Sequence, residues 1–230
     1  MNIQGLQKTT LLDYPGHVAA TIFLGGCNFR CPFCHNMNLI TESSNAAYSE
    51  EEVFSFLKKR QGILDGVCIT GGEPTLCKDL PDFINKVRLL GYKIKLDTNG
   101  SNPEMLEKLI SDGAVDYVAM DIKSSLSEYS KITFTDNINT ELIRNSICIL
   151  RASSIDYEFR TTMIKQYHSP SVMEEIGQLL NGCSVYYLQS FVDSEYVPNH
   201  ELESFTKEEL LLIQNQLSKY ISKVVLRGID

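Results

Sequence analysis

No apolar run in the sequence approaches the roughly 20 residues of a membrane span, and Met1-Asn2-Ile3-Gln4-Gly5 lacks the basic-then-apolar pattern of a secretory signal. The location expected from these absences is the cytoplasm. A basic excess is missing too: 21 lysines and arginines stand against 29 aspartates and glutamates, a formal charge of -8. That balance argues against broad phosphate-backbone binding and so against a nucleic-acid partner. No stretch rich in proline, glycine or serine divides the 230 residues, so one domain over 1–230 with a well-buried core is expected. A disulfide framework is absent as well, because the seven cysteines are odd in number and irregularly spaced.

What the chain does have is Gly25-Gly26-Cys27-Asn28-Phe29-Arg30-Cys31-Pro32-Phe33-Cys34-His35-Asn36, three thiols in the spacing CxxxCxxC directly after the apolar run Val18 to Leu24. A loop that short can turn three sulfurs toward one point, which suits a polynuclear iron-sulfur cluster or one thiophilic metal. Three protein ligands leave a four-iron cluster with one open iron, and an open position is where chemistry happens. Gly25 and Gly26 permit close approach, Pro32 stiffens the loop and Phe33 supplies an apolar shoulder that excludes water. A structural zinc site is disfavoured, since the adjacent Cys34 and His35 do not easily turn to one tetrahedral ion. A redox Cys31/Cys34 pair would leave Cys27 idle. Cys68 and Cys148 sit in apolar runs and read as small core residues; Cys77 and Cys183 read the same way, with Cys77 close behind Gly-Gly-Glu-Pro.

Along the chain, strand-like runs alternate with helical patterns. Residues 1 to 17 offer a short strand or loop ending in the turn Asp13-Tyr14-Pro15-Gly16, and residues 41 to 48, with Ser43, Ser44 and Asn45, read as a polar connector. Strands are expected over 18–24, 66–70, 92–98, 115–122, 157–164 and 185–188. Helices are expected after the Ser49/Glu52 capping box, the Asp79 cap, Asn102-Pro103, Thr140, Ser169-Pro170 and the Thr206/Glu209 capping box. Six strand-then-helix units predict an α/β fold, a partial (β/α)6 barrel of parallel strands with outer helices, whose working residues sit at the C-terminal strand ends.

The polar and glycine-rich segments fall at those ends. After the second strand stands Thr70-Gly71-Gly72-Glu73-Pro74, bare backbone beside a carboxylate that can hold an ammonium group; a plain turn is the simpler alternative. After the third stands Asp97-Thr98-Asn99-Gly100, and Asn-Gly alone is a common turn. On the fourth, alternation places Asp121 and Lys123 on one face, where a barrel salt bridge competes with a binding role. Arg160 on the fifth is costly to bury without an anion, and a structural pair with Glu158 or Asp156 is an equal alternative. The sixth ends Leu188-Gln189-Ser190-Phe191. His17, His168 and His200 show no partner pattern and read as surface or loop residues.

The aromatic-bearing CxxxCxxC loop after a first strand resembles the radical S-adenosylmethionine superfamily. With Leu12-Asp13-Tyr14-Pro15-Gly16 and Phe23-Leu24 before it, the string is similar to the activating proteins of glycyl-radical enzymes, and most similar to those of anaerobic ribonucleoside-triphosphate reductase. The resemblance implies that Cys27, Cys31 and Cys34 hold a [4Fe-4S] cluster whose fourth iron is chelated by the amine and carboxylate of S-adenosylmethionine. One electron then gives methionine and a 5′-deoxyadenosyl radical, with no side chain acting as acid or base. It further implies that Gly71, Gly72 and Glu73 take the methionyl amine and that Asp97, Thr98 and Asn99 line the pocket. Lys123 and Arg160 face the cofactor, Phe33 and His35 lie beside it, and Asp97, Thr98 and Asp121 are suggested ligands for a monovalent cation. Gln189 is carried over toward the adenine, although relatives acting on pyruvate formate-lyase have a histidine in that segment and this chain has none. The implied partners are a glycyl-radical enzyme, the anaerobic ribonucleotide reductase, and a low-potential electron donor such as flavodoxin or ferredoxin. Two other readings stand beside this one: a radical enzyme acting on a different glycyl-radical enzyme or a small molecule, and a non-catalytic iron-sulfur or zinc module.

Overall fold

The computed structural model describes residues 1–41, 46–136 and 138–229. Ser43, Ser44 and Asn45 of the expected connector lie outside the described residues. Eight strands form one sheet in sequential order: β1 (Ile3–Thr10), β2 (Ala19–Leu24), β3 (Gly66–Gly71), β4 (Lys93–Thr98), β5 (Tyr117–Asp121), β6 (Asp156–Met163), β7 (Tyr186–Ser190) and β8 (Val224–Arg227). From β2 to β8 every pairing is parallel, and β1 runs antiparallel to β2. β1 and β8 do not pair with each other, so the sheet stays open.

Two features differ from expectation. The first 17 residues carry a full eight-residue strand, made possible by a hairpin through the Asp13-Tyr14-Pro15-Gly16 turn that pairs Ile3 with Leu24 and Thr10 with Ala19. The closing Val-Val-Leu-Arg segment adds a seventh parallel strand beside β7.

The crossover helices arise where their caps predict. α2 (Glu50–Lys59) has the complete Ser49/Glu52 capping box, and α8 (Lys207–Leu217) the Thr206/Glu209 one. Asn102 and Ser169 cap α4 (Pro103–Ser111) and α7 (Pro170–Leu179) through Met105 N–H and Val172 N–H, each with proline in the first turn. Asp79 stands at the N-cap of α3 (Leu80–Leu89) without a side-chain capping bond, and α6 (Thr140–Ala152) opens at Thr140 with Asn139 as its cap. Two short helices, α1 (Met37–Thr41) after the thiol loop and α5 (Tyr129–Thr133) after β5, carry no apolar stripe long enough to read in advance.

The central strands are buried along nearly their whole length, as parallel strands covered by helices must be. Cys148 is a correction: it lies on the exposed side of α6, since Ile143, Ile147 and Leu150 take the inner stripe and the next residue turns about 100° away.

Candidate cofactor site at the strand ends

The thiol loop leaves β2 and is tied to the neighbouring strand mouth by backbone. Gly72 N–H donates to Leu24 C=O and Glu73 N–H to Gly26 C=O, both at 2.8 Å. Gly71 has φ of +114°, and a Cβ on Gly72 would stand 1.9 Å from Gly26 O. Only glycine allows the two segments to lie this close. Asn36 adds a side-chain bond to Gly71 C=O at 3.0 Å.

Cys27, Cys31 and Cys34 line one cavity of about 480 Å³. Burial pushes the Cys31 thiol up to about 12, and it raises Cys27 and Cys34 as well, so metal binding here must displace protons. Among the described residues no three His, Cys, Asp or Glu side chains gather closely enough to hold a single ion.

The same cavity is lined by Phe33, His35, Gly71, Gly72, Asp97, Thr98, Asn99, Asp121, Lys123, Arg160 and Gln189. Phe33 is buried, with Lys123 Nζ 5.8 Å above its ring. His35 Nε2 donates to Val192 C=O at 2.7 Å, which fixes its ring at the rim. Gln189 approaches from the end of β7.

Glu73 alone of the expected residues does not face the cavity. Its carboxylate is 2 % exposed and accepts from Thr75 N–H and Oγ1, from Thr98 Oγ1 at 2.7 Å and from Asn99 N–H at 2.6 Å. With its oxygens turned to the protein, it braces the Thr98-Asn99 wall rather than presenting itself to an ammonium group. Burial raises its pKa, and those four donors oppose the rise. Asn99 Nδ2 in turn lies 2.9 Å from Asn28 Oδ1 and 3.8 Å from Cys27 Sγ, so the wall reaches the sulfur.

The cavity floor carries an alternating row of charges. Arg160 donates through Nε to Asp121 Oδ1 at 2.5 Å and through Nη2 to Asp97 Oδ2 at 2.9 Å. Lys123 Nζ meets Asp121 Oδ2 at 2.8 Å, and Lys95 Nζ meets Asp97 Oδ1. Burial alone would favour the neutral acids, but Arg160 and the two lysines outweigh it and hold Asp97 and Asp121 well below the usual carboxylate range. Neither Glu158 nor Asp156 is the partner of Arg160. Glu158 is taken by Arg227, with Nη1 and Nη2 at 3.0 and 3.1 Å, and by Tyr117 at 2.9 Å.

Several lining residues carry no advance signal of their role. Asp13 reaches the cavity from the β1–β2 turn and accepts from Thr21 Oγ1 at 2.5 Å. Thr70, Thr162 and Ser190 face the cavity from β3, β6 and β7. His168, expected at the surface or in a loop, lies in the loop between β6 and α7 but is buried there: Nδ1 accepts from Ile164 N–H at 3.0 Å and Nε2 donates to Lys123 C=O at 3.0 Å. His17 instead stacks on Tyr14 with ring centroids 4.3 Å apart, and His200 pairs with exposed Asp193.

Free thiols beside a bare glycine pair, above a floor of fixed charges at the ends of parallel strands, define a cofactor-dependent α/β enzyme. The chain belongs to the radical SAM superfamily, whose family model matches residues 21–168. Members of that superfamily use a [4Fe-4S] cluster and S-adenosylmethionine, and this chain is accordingly a radical SAM enzyme. It is 31% identical over 234 residues to a Methanocaldococcus jannaschii protein provisionally named a glycyl-radical enzyme activating enzyme, covering 99% of this chain and 96% of that one. It is 30% identical over 146 residues to the pyruvate formate-lyase-activating enzyme of Listeria monocytogenes, covering 59% of this chain and 58% of the other. The fold resembles that of Streptococcus suis SuiB bound to S-adenosylmethionine, with a TM-score of 0.64 and 14% identity over 88% of this chain and 48% of SuiB. It also resembles a domain of a Bacteroides vulgatus pyruvate-formate lyase-activating enzyme, with a TM-score of 0.56 and 20% identity over 71% of this chain and 99% of that domain.

Proposed function

We propose that this chain activates a glycyl-radical enzyme, the anaerobic ribonucleoside-triphosphate reductase, and that Cys27, Cys31 and Cys34 are the protein ligands of its cluster. The observation that carries this reading is that three thiols, with no fourth cysteine among the described residues, line the cavity that also holds Gly71, Gly72, Lys123 and Arg160. Held there, the cluster and S-adenosylmethionine would supply, with one electron from a reduced donor, methionine and a 5′-deoxyadenosyl radical able to take a hydrogen atom from a glycine Cα of the partner.

The chain's own residues orient and shield. The bare backbone of Gly71 and Gly72 lets the methionyl end approach the thiol loop. Lys123 and Arg160 offer charge-assisted donors to its carboxylate and ribose oxygens. Phe33 excludes water, Gln189 offers an amide at the adenine end, and Asn99 fixes the wall beside Cys27. Glu73 acts through that wall as a positioning residue. A low-potential donor such as flavodoxin or ferredoxin supplies the electron. One domain over 1–230 is supported by the single sheet, and the cytoplasm as location by seven cysteines without a disulfide.

Anaerobic reconstitution with iron and sulfide, followed by dithionite, S-adenosylmethionine and the reductase, tests the proposal. The expected result is 5′-deoxyadenosine together with a glycyl-radical signal by electron paramagnetic resonance. Cleavage without that signal points to another substrate, and the absence of both points to a non-catalytic module.

A further inference from the structure

Each oxygen of the two carboxylates on the cavity floor already accepts from a cationic side chain. Asp97 gives Oδ1 to Lys95, and Oδ2 to Arg160 and to Thr70 Oγ1 at 3.2 Å. Asp121 gives Oδ1 to Arg160 and Oδ2 to Lys123. A monovalent cation between Asp97 and Asp121, the role suggested by resemblance, would have to sit against the guanidinium that already bridges them. Like charges about 4 Å apart repel by roughly 4 kcal/mol at an effective dielectric of 20. The group that completes this arrangement is Lys95. Two residues before Asp97 on β4, it shares that residue's face. Its side chain is 3 % exposed, so it cannot swing into solvent to admit an ion. Burial alone would favour the neutral amine, but the Asp97 carboxylate outweighs both burial and the nearby Arg160 charge and raises the Lys95 pKa.

We propose that Lys95 is a positioning residue which, together with Arg160, stands in place of an exchangeable monovalent cation, so that cofactor binding here does not depend on sodium or potassium. This rests on the reading that S-adenosylmethionine occupies the cavity. The physical advantage is a floor with fixed geometry: Asp97 and Asp121 are held by side chains anchored in β4 and β6 and need no ion to be recruited with the cofactor.

The test is equilibrium dialysis of S-adenosylmethionine against the anaerobically reconstituted protein, in choline, sodium and potassium chloride at a constant ionic strength of about 0.1 M so that screening is equal. Wild-type Kd should agree across the three salts to within about twofold. Lys95→Met, which leaves Asp97 Oδ1 with only the weak Cys68 thiol donor at 3.8 Å, should bind about tenfold more weakly in choline and recover in sodium or potassium. Lys95→Arg should remain indifferent to the salt. Wild-type binding that tightens about tenfold or more on replacing choline with potassium would overturn the proposal. So would a Lys95→Met defect equal in every salt. Thermal melting of wild type in the same three salts gives a second readout, since an ion that binds the folded chain raises Tm. Unchanged Tm agrees with the proposal, and a cation-specific rise contradicts it. Failure to bind S-adenosylmethionine in any salt would sink the cofactor reading, while the melting curves still decide the cation question.

Discussion

Gly72→Ala places a methyl group where the thiol loop passes the mouth of β3. The new Cβ would lie 1.9 Å from Gly26 O and 2.6 Å from Gly26 C, both backbone atoms that cannot rotate away. Restoring an allowed contact requires the segments to part by about 1 Å, which stretches the 2.8 Å bonds from Gly72 N–H to Leu24 C=O and from Glu73 N–H to Gly26 C=O beyond hydrogen-bond length. Two lost bonds at about 1 kcal/mol each, with overpacking of about 1–3 kcal/mol, give a destabilisation of roughly 3–5 kcal/mol. For a chain of this size that lowers Tm by roughly 6–20 °C. The assay is a melting curve of the protein before reconstitution, paired with cluster absorbance after it. Gly91→Ala serves as the control: its φ is +92° but nothing lies within 4 Å of the added Cβ, so only local strain of about 1–2 kcal/mol is expected. A Gly72→Ala protein that melts within about 2 °C of wild type and takes up a full cluster would refute the reasoning.

Three further outcomes follow from the geometry. His168 is pulled down to about 4 by burial from the ordinary imidazole 6.5, so between those values the unfolded chain binds a proton that the folded chain does not. Stability should therefore be full above pH 6.5 and fall by up to about 3 kcal/mol as pH drops toward 4; urea titrations should show this slope, and His168→Gln should flatten it. Arg160→Met strips both Asp97 and Asp121 of a shared partner and should cost about 3–5 kcal/mol in denaturant unfolding, with cofactor binding lost; a change under about 1 kcal/mol contradicts the buried network. Cys31→Ala should lose cluster absorbance and 5′-deoxyadenosine formation together, and survival of cleavage in that variant counts against the ligand assignment.

The parts legible in the sequence are those where local pattern and function coincide. The thiol spacing, Gly71-Gly72, Asp97-Thr98-Asn99 and the Asp121/Lys123 alternation each announce a strand end from within a few residues, and the parallel sheet brings them to one cavity. What stayed hidden depends on distant backbone. Asp13 sits in a sequence that spells a turn, and only the hairpin pairing of β1 with β2 carries it to the cavity. His168 finds its partner at Lys123 C=O, 45 residues away, where no periodicity points. Arg160 and Glu158 share a face of β6, so a local pair was natural to expect; β8 instead delivers Arg227 to Glu158 from 69 residues on and leaves Arg160 to the carboxylates of β4 and β5. Glu73 shows the same limit in reverse, since its motif names its neighbourhood correctly while its side chain turns away from the cavity to hold Thr98 and Asn99.

The central claim is that the three sulfurs leave one iron free for the cofactor's amine and carboxylate. Electron-nuclear double resonance on the reduced, reconstituted protein with S-adenosylmethionine labelled at the amine nitrogen tests it directly. The account predicts a hyperfine coupling between the cluster and that nitrogen, absent without the cofactor. A fully protein-ligated cluster showing no such coupling, or a single zinc ion in its place, would contradict it.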